Sequence, residues 1–160
     1  MIPEAMEERL ARGLKTDKNI LQKIFEDYQP EDKLTQILDA EKLIACSYAL
    51  GRILASFDVG LKASQLRRFY ESLLQMKALA GNIVGIPTSA ALFKTKVLPQ
   101  LLMQKALLAN AKARMERQIT PFFNVVNPLF DVTRDAEDLA LLCDFIQATV
   151  AYHRYFGGRE

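Results

Sequence analysis

Apolar residues recur along this chain at three- and four-residue spacings, a period that predicts helices rather than strands. The most apolar stretch runs from 39 to 57, where Leu43, Ile44, Tyr48, Leu50, Ile53, Leu54 and Phe57 cover a wide arc. Only a narrow strip remains, made of Ala45, Ala49, Arg52 and Ser56. A helix this apolar lies either at the centre of a bundle or against a second subunit, and the small residues of the strip permit a close approach. Asp58-Val59-Gly60 breaks the pattern, and Ser64 is placed to cap the next helix. There Leu66, Phe69, Tyr70, Leu73, Leu74 and Ala80 form the inward face, with Arg68, Glu71, Ser72 and Gln75 opposite and Arg67 near the edge. Gly81, Gly85 and Pro87 end that helix in a loop.

A helical segment from about Thr88 meets Pro99, which either opens a fresh helix or kinks a continuous one. Beyond it, Leu101, Leu102, Leu108, Ala109 and Met115 form an apolar band. Lys105, Lys112 and Glu116 share one line, so Lys112 and Glu116 can pair, whereas Lys105 has no acid within a helical turn. Thr120-Pro121 fits a cap and first residue for a short helix bearing Phe122, Phe123, Val126, Leu129 and Phe130. The last helix reads from a Thr133 cap, with Asp135, Glu137 and Asp138 suited to its positive end, to a left-handed stop at Gly157-Gly158. Residues 1–33 read as a polar lead-in in which Thr16 or Asp17 caps Ile20, Leu21, Ile24, Phe25 and Tyr28, docking on the core or on a neighbour. The expected fold is all-α: one helical domain over 1–160, a bundle of five or six helices with its core in 39–158.

Composition agrees with this. Half of the 160 residues are hydrophobic and a quarter charged, with no tryptophan, seven glycines and six prolines, so turn residues are few. Cys46 and Cys143 fall inside apolar helical patterns and read as buried free thiols of a cytoplasmic protein. The N-terminal stretch carries Glu4, Glu7 and Glu8 without a long apolar run, unlike a signal peptide. The longest apolar run, Val97–Leu108, is interrupted by Pro99 and Lys105, so no membrane span is expected.

The net charge of +2 conceals a division. Between Val59 and Phe130 stand ten basic residues against Glu71 and Glu116, so that segment carries +8 and the rest of the chain −6. Such segregation suits either a polyanion partner or acidic helices packed beside basic ones. Arg67 and Arg68 concentrate the question. Near the start of a helix they oppose its dipole, at about 0.3–1 kcal/mol each, yet with the exposed amides they suit a phosphate. The competing reading is a solvated pair with Glu71.

Catalytic constellations are missing from the sequence. His153 is the single histidine and falls between Leu142 and Ile146 in helical projection, as a packed and hydrogen-bonded side chain would. The cysteines have no metal-ligand spacing, and no phosphate-binding loop, dinucleotide fingerprint or nucleophile elbow occurs. Neither a cofactor nor catalysis by this chain alone is expected.

Three blocks carry a resemblance. They are Tyr48-Ala49-Leu50-Gly51-Arg52 leading to Ser64-Gln65-Leu66-Arg67-Arg68-Phe69, then Lys105 to Lys112 and Arg114, then Val150-Ala151-Tyr152-His153-Arg154-Tyr155-Phe156-Gly157-Gly158. In order and spacing the chain resembles the small subunit of type III-A CRISPR effector complexes, the second protein of the Csm series. It departs from that pattern at Lys62 and Ala63, where threonines are common, and at Asn110-Ala111-Lys112, where a tyrosine and then Gly-Arg often stand. The type III-B small subunit is a related helical alternative with less of its pattern here. The resemblance implies a non-catalytic helical subunit, several copies of which line a ribonucleoprotein filament along the duplex of guide RNA and target RNA, in antiviral defence. Its implied partners are those RNAs, other effector subunits and neighbouring copies of itself. On that basis Arg67 and Arg68 are the leading RNA contacts, followed by Arg52, Lys105, Lys112 and Arg114. The alternative is a protein-interaction or dimerisation module that docks through helix 39–57 and has no direct RNA contact.

Overall fold

A computed structural model describes residues 2–83, 85–86 and 89–160. Among them every regular element is helical: α1 Met6–Leu10, α2 Asp17–Ile24, α3 Leu34–Ile37, α4 Ala40–Ala55, α5 Ala63–Gly81, α6 Ser89–Leu92, α7 Leu98–Arg114, α8 Glu116–Asp131 and α9 Ala136–Tyr155. The all-α expectation holds. Pro87 and Thr88, assigned above to a loop and a helix start, lie outside the described residues.

α4 is the centre of the bundle. Asp39 caps it by accepting from the Lys42 amide (2.8 Å), and the eight residues Ala45–Leu50, Gly51 and Leu54 are buried. α9 covers it most extensively, and α1, α2 and α8 cover other sides. The face offered above as a dimerisation surface is therefore largely filled from within the chain. Phe57 departs from the expected arc: it lies beyond the helix end and is fully exposed.

Contacts at both ends show α4 and α9 running in the same direction. At the first end the buried Asp138 carboxylate accepts from the Thr35 and Arg134 amides (2.9 Å each). At the other, Gly51 meets Tyr152 and His153 so closely that a Cβ on it would stand 2.7 Å from the Tyr152 Cβ and 2.8 Å from the His153 amide nitrogen. α5 runs antiparallel to α9, with Leu73 near Cys143 and Arg67 near the end of α9. The cap of α9 is Asp135, whose carboxylate accepts from the Asp138 amide (2.9 Å), and not Thr133. Thr133 instead turns its hydroxyl back to the Leu129 carbonyl (2.7 Å), closing α8.

α7 and α8 form an antiparallel hairpin. The chain reverses at Met115 (φ −128°, ψ 39°), so Thr120-Pro121 does not start α8; Pro121 sits inside it. The Thr120 hydroxyl bonds the Glu116 carbonyl one turn back. Ahead of Pro99 the chain keeps helical dihedrals but widens into a π-helical turn, Phe93–Val97, which accommodates a ring that has no N–H to offer the ladder. Both sequence alternatives for Pro99 thus hold in part: the helix continues, with a local change of pitch. On α7 only Leu101 and Leu108 of the predicted band are buried, and Leu102 is exposed.

The lead-in docks on the core. Thr16 caps α2 in a reciprocal arrangement with Asn19 (Asn19 amide to Thr16 hydroxyl, 3.1 Å), and Ala11, Leu14, Ile20 and Ile24 are buried. The Asn124 amide group on α8 donates to Asp17 (2.7 Å). Both cysteines are buried free thiols, and burial pushes Cys46 up to about 12 and Cys143 up to about 11.

His153 is buried as predicted, its Nε2–H donating to the Leu61 carbonyl (2.6 Å) while Nδ1 has no partner among the described residues. Burial holds its pKa below the ordinary 6.5, although the bond to Leu61 opposes that shift. The folded state therefore binds this proton less readily than the unfolded chain does. The associated stability is complete above pH 6.5 and is lost as pH falls below it. The urea midpoint is expected to be flat from about pH 8 to 7 and to decline toward pH 5. Carboxylate titration lies mostly lower. An NMR titration of this single histidine that gave a value at or above 6.5 would contradict the account.

Candidate nucleic-acid interface

The six basic residues singled out from the sequence do not form one patch. Arg68 and Arg114, both exposed, line a groove of about 300 Å³ between α5, α7 and the start of α8. Its floor includes Phe69, Leu108 and Phe122, its rim includes Gln65, Ser72 and Gln104, and no acidic residue lines it. Neither arginine forms an ion pair among the described residues.

Arg67 lies on another side of α5. It faces a separate groove of about 520 Å³ against α9, shared with Tyr70, Glu71 and Arg154. Its guanidinium approaches Glu160 (3.4 Å), and Arg154 donates to the same carboxylate (3.1 Å). Bonds from Arg154 and then Arg67 hold the Glu160 carboxyl below its ordinary range. The expected pairing with Glu71 does not form for either arginine; Arg67 takes its acid from the end of the chain described here.

The start of α5 also differs from expectation. The helix begins at Ala63, with Lys62 at its cap position, so Ser64 lies inside the first turn. Gln65 serves instead, its side-chain oxygen accepting from the Lys62 amide (3.2 Å). The Ala63 amide donates to the Arg159 carbonyl (2.8 Å), and the Ser64 hydroxyl donates to the Glu160 carbonyl (3.2 Å). Gln65 at the third position after Lys62 was the sequence signal for this cap.

The remaining three candidates are engaged within the fold. Arg52 grips Glu8 of α1 through one terminal nitrogen (3.0 Å to each oxygen) and lies over the Tyr48 and Phe156 rings (5.3 and 5.8 Å). Tyr48 donates to the same carboxylate (2.6 Å). That hydroxyl bond, then the Arg52 contact, lowers the Glu8 pKa, while burial and the bond to Glu8 push Tyr48 up to about 12. Lys105 pairs with Asp131 across the α7–α8 hairpin (2.5 Å). Lys112 stands 4.7 Å above the Phe123 ring and makes no ion pair with Glu116, correcting the local pairing read from the sequence. These two lysines tie the hairpin together. An acid on α8 and a ring on α8 could not be assigned to them before the reversal at Met115 was known.

Arg154 was noted in the sequence only as part of the C-terminal aromatic-basic block; the fold brings it beside Arg67. Among the described residues no cluster of three or more metal-ligating side chains occurs, and no helix is long and apolar enough to cross a membrane. A family model described as Csm2 Type III-A matches residues 37–159. No curated protein and no solved structure matches the chain.

Proposed function

The chain belongs to the Csm2 family, the small subunits of type III-A CRISPR effectors, and from that membership we propose that it contacts the sugar–phosphate backbone of guide and target RNA. Such contact would serve antiviral defence in the cytoplasm without any catalytic step of its own, alongside other effector subunits and neighbouring copies. The observation that carries the reading is the acid-free groove with Arg68 and Arg114 on its rim. Two guanidinium forks without ion-pair partners among the described residues suit phosphate oxygens. Contacts of this kind hold a strand without reading its bases. On the same rim the Gln104 amide offers hydrogen bonds suited to ribose hydroxyls.

This ranks the basic residues differently from the sequence. Arg68 and Arg114 lead, Arg67 is preoccupied by Glu160, and Arg52, Lys105 and Lys112 support the fold. Replacing Arg68 and Arg114 together by alanine in the assembled effector is expected to flatten the log–log dependence of RNA affinity on salt. The change expected is about 1.4, from about 0.7 for each single-strand phosphate contact. The helical circular dichroism should not change. An unaltered slope would remove this groove from the interface.

A further inference from the structure

We propose that Arg67 and Arg154 together form a second phosphate site, which in the free protein is occupied by the chain's own Glu160 acting as a stand-in for an RNA phosphate. The inference rests on the RNA reading above and adds a site and its regulation. The two arginines come from different helices, α5 and α9, and converge on one carboxylate at 3.4 and 3.1 Å. A third group of the same corner, the Ser64 hydroxyl, donates to the backbone carbonyl of that residue (3.2 Å). A carboxylate met by two guanidinium groups, each through one terminal nitrogen, beside a hydroxyl has the donor pattern that a phosphodiester would meet.

The occupant is placed by the backbone and held at its charged end. α9 closes in a Schellman arrangement: the Gly157 amide donates to the Arg154 carbonyl (2.9 Å) and the Gly158 amide to the His153 carbonyl (2.8 Å). Gly157 is left-handed (φ 78°). Gly158 lies so tightly on the His153 ring that a Cβ there would stand 2.2–2.4 Å from ring atoms. The Arg159 carbonyl then bonds the Ala63 amide (2.8 Å), which sets Glu160 over Arg67. The Glu160 side chain is itself well exposed (69%), as are those of its partners Arg154 (66%) and Arg67 (39%). Exposed pairs of this kind are weak and exchangeable, so a polyanion can displace the carboxylate while the backbone hooks at Gly157 and Gly158 stay closed. Glu71, one helical turn from Arg67, also lines this groove, which limits where along it an anion can sit.

The test uses the full chain, a labelled single-stranded RNA and, separately, inorganic pyrophosphate. Glu160→Gln is expected to tighten RNA binding about two- to fivefold, the range released by breaking exposed ion pairs. It should steepen the salt slope by about 0.7, one added contact. Glu41→Gln, an equal change of net charge at an exposed site on α4, should do neither. In an Arg67→Ala/Arg154→Ala background Glu160→Gln should also do neither. Pyrophosphate should shift the Arg67 and Arg154 side-chain NMR signals more strongly in Glu160→Gln than in the unaltered chain. Equal gains from the two Gln variants, or from Glu160→Gln with and without the arginines, would overturn the proposal. If pyrophosphate moves neither arginine while Arg68→Ala/Arg114→Ala still weakens RNA binding, this site fails and the first groove stands. If pyrophosphate binds and RNA does not, the RNA assignment falls for both sites.

Discussion

Phe122→Ala is expected to lower the stability of the chain by about 3–5 kcal/mol, the cost of removing a large buried ring and leaving a cavity. Phe122 is completely buried and meets Phe69 edge to face at 5.3 Å, beneath the groove that carries Arg68 and Arg114. α5 and α8 are thus joined through the aromatic floor of the proposed RNA contact. Urea denaturation at neutral pH would measure the loss, with the slope against denaturant unchanged if the folded state stays compact. Phe122→Leu keeps most of the volume and should recover more than half of the stability. A loss below about 0.5 kcal/mol for alanine, the size of an ordinary exposed substitution, would mean that the ring does not support the groove.

The second large effect has the opposite sign from helix propensity. Gly51 lies inside α4, where alanine would ordinarily be favoured by about 0.5–1 kcal/mol. Its missing side chain is what lets α9 approach: an added Cβ meets backbone as well as side-chain atoms of Tyr152 and His153, all below 3.0 Å. Backbone cannot rotate aside, so the two helices must separate. Gly51→Ala should therefore be destabilising by about 1–3 kcal/mol, as overpacking in a close-packed core generally is. For a chain of this size that corresponds to a fall in Tm of several degrees, at about 2–4 °C per kcal/mol. A variant as stable as the unaltered chain would show that the α4–α9 contact is looser than the geometry indicates. Gly81, the last residue of α5, has open space where a Cβ would stand, so Gly81→Ala is the control that should lack this penalty.

The sequence disclosed the elements whose identity depends on local pattern. The apolar arc of 39–57 and the inward face of α5 are set by spacing along one helix and lie largely where the period places them, Phe57 beyond the end of α4 excepted. Glu137 and Asp138 stand in the first turn of α9. Boundaries failed where a local signal had two uses. Thr120-Pro121 has the chemistry of a helix start, but the reversal occurred at Met115, which carries no turn signal. Ser64 suits a cap, but the Arg159 carbonyl supplies an acceptor to the Ala63 amide from the far end of the chain.

The candidate site was less legible for a related reason. A list of cations says nothing about which acids the fold will bring to them. Arg52 found Glu8, Lys105 found Asp131 and Arg67 found Glu160, partners separated by 44, 26 and 93 positions. The acid-poor segment from Val59 to Phe130 correctly marked a region of excess positive charge. Its use as a guide to individual contacts ended where acids from outside the segment folded onto it.

Arg67 and Arg68 are neighbours in sequence, but about 100° of rotation separates consecutive residues on a helix, and α5 divides the two grooves they face. The helix is thus a partition, and what happens on one side is thermodynamically independent of the other to the extent that no partner is shared. Single substitutions at the two positions should combine additively in RNA affinity, as distant sites do, despite the peptide bond that joins them. A double substitution there would report the sum of two losses, and its size would give no measure of either groove.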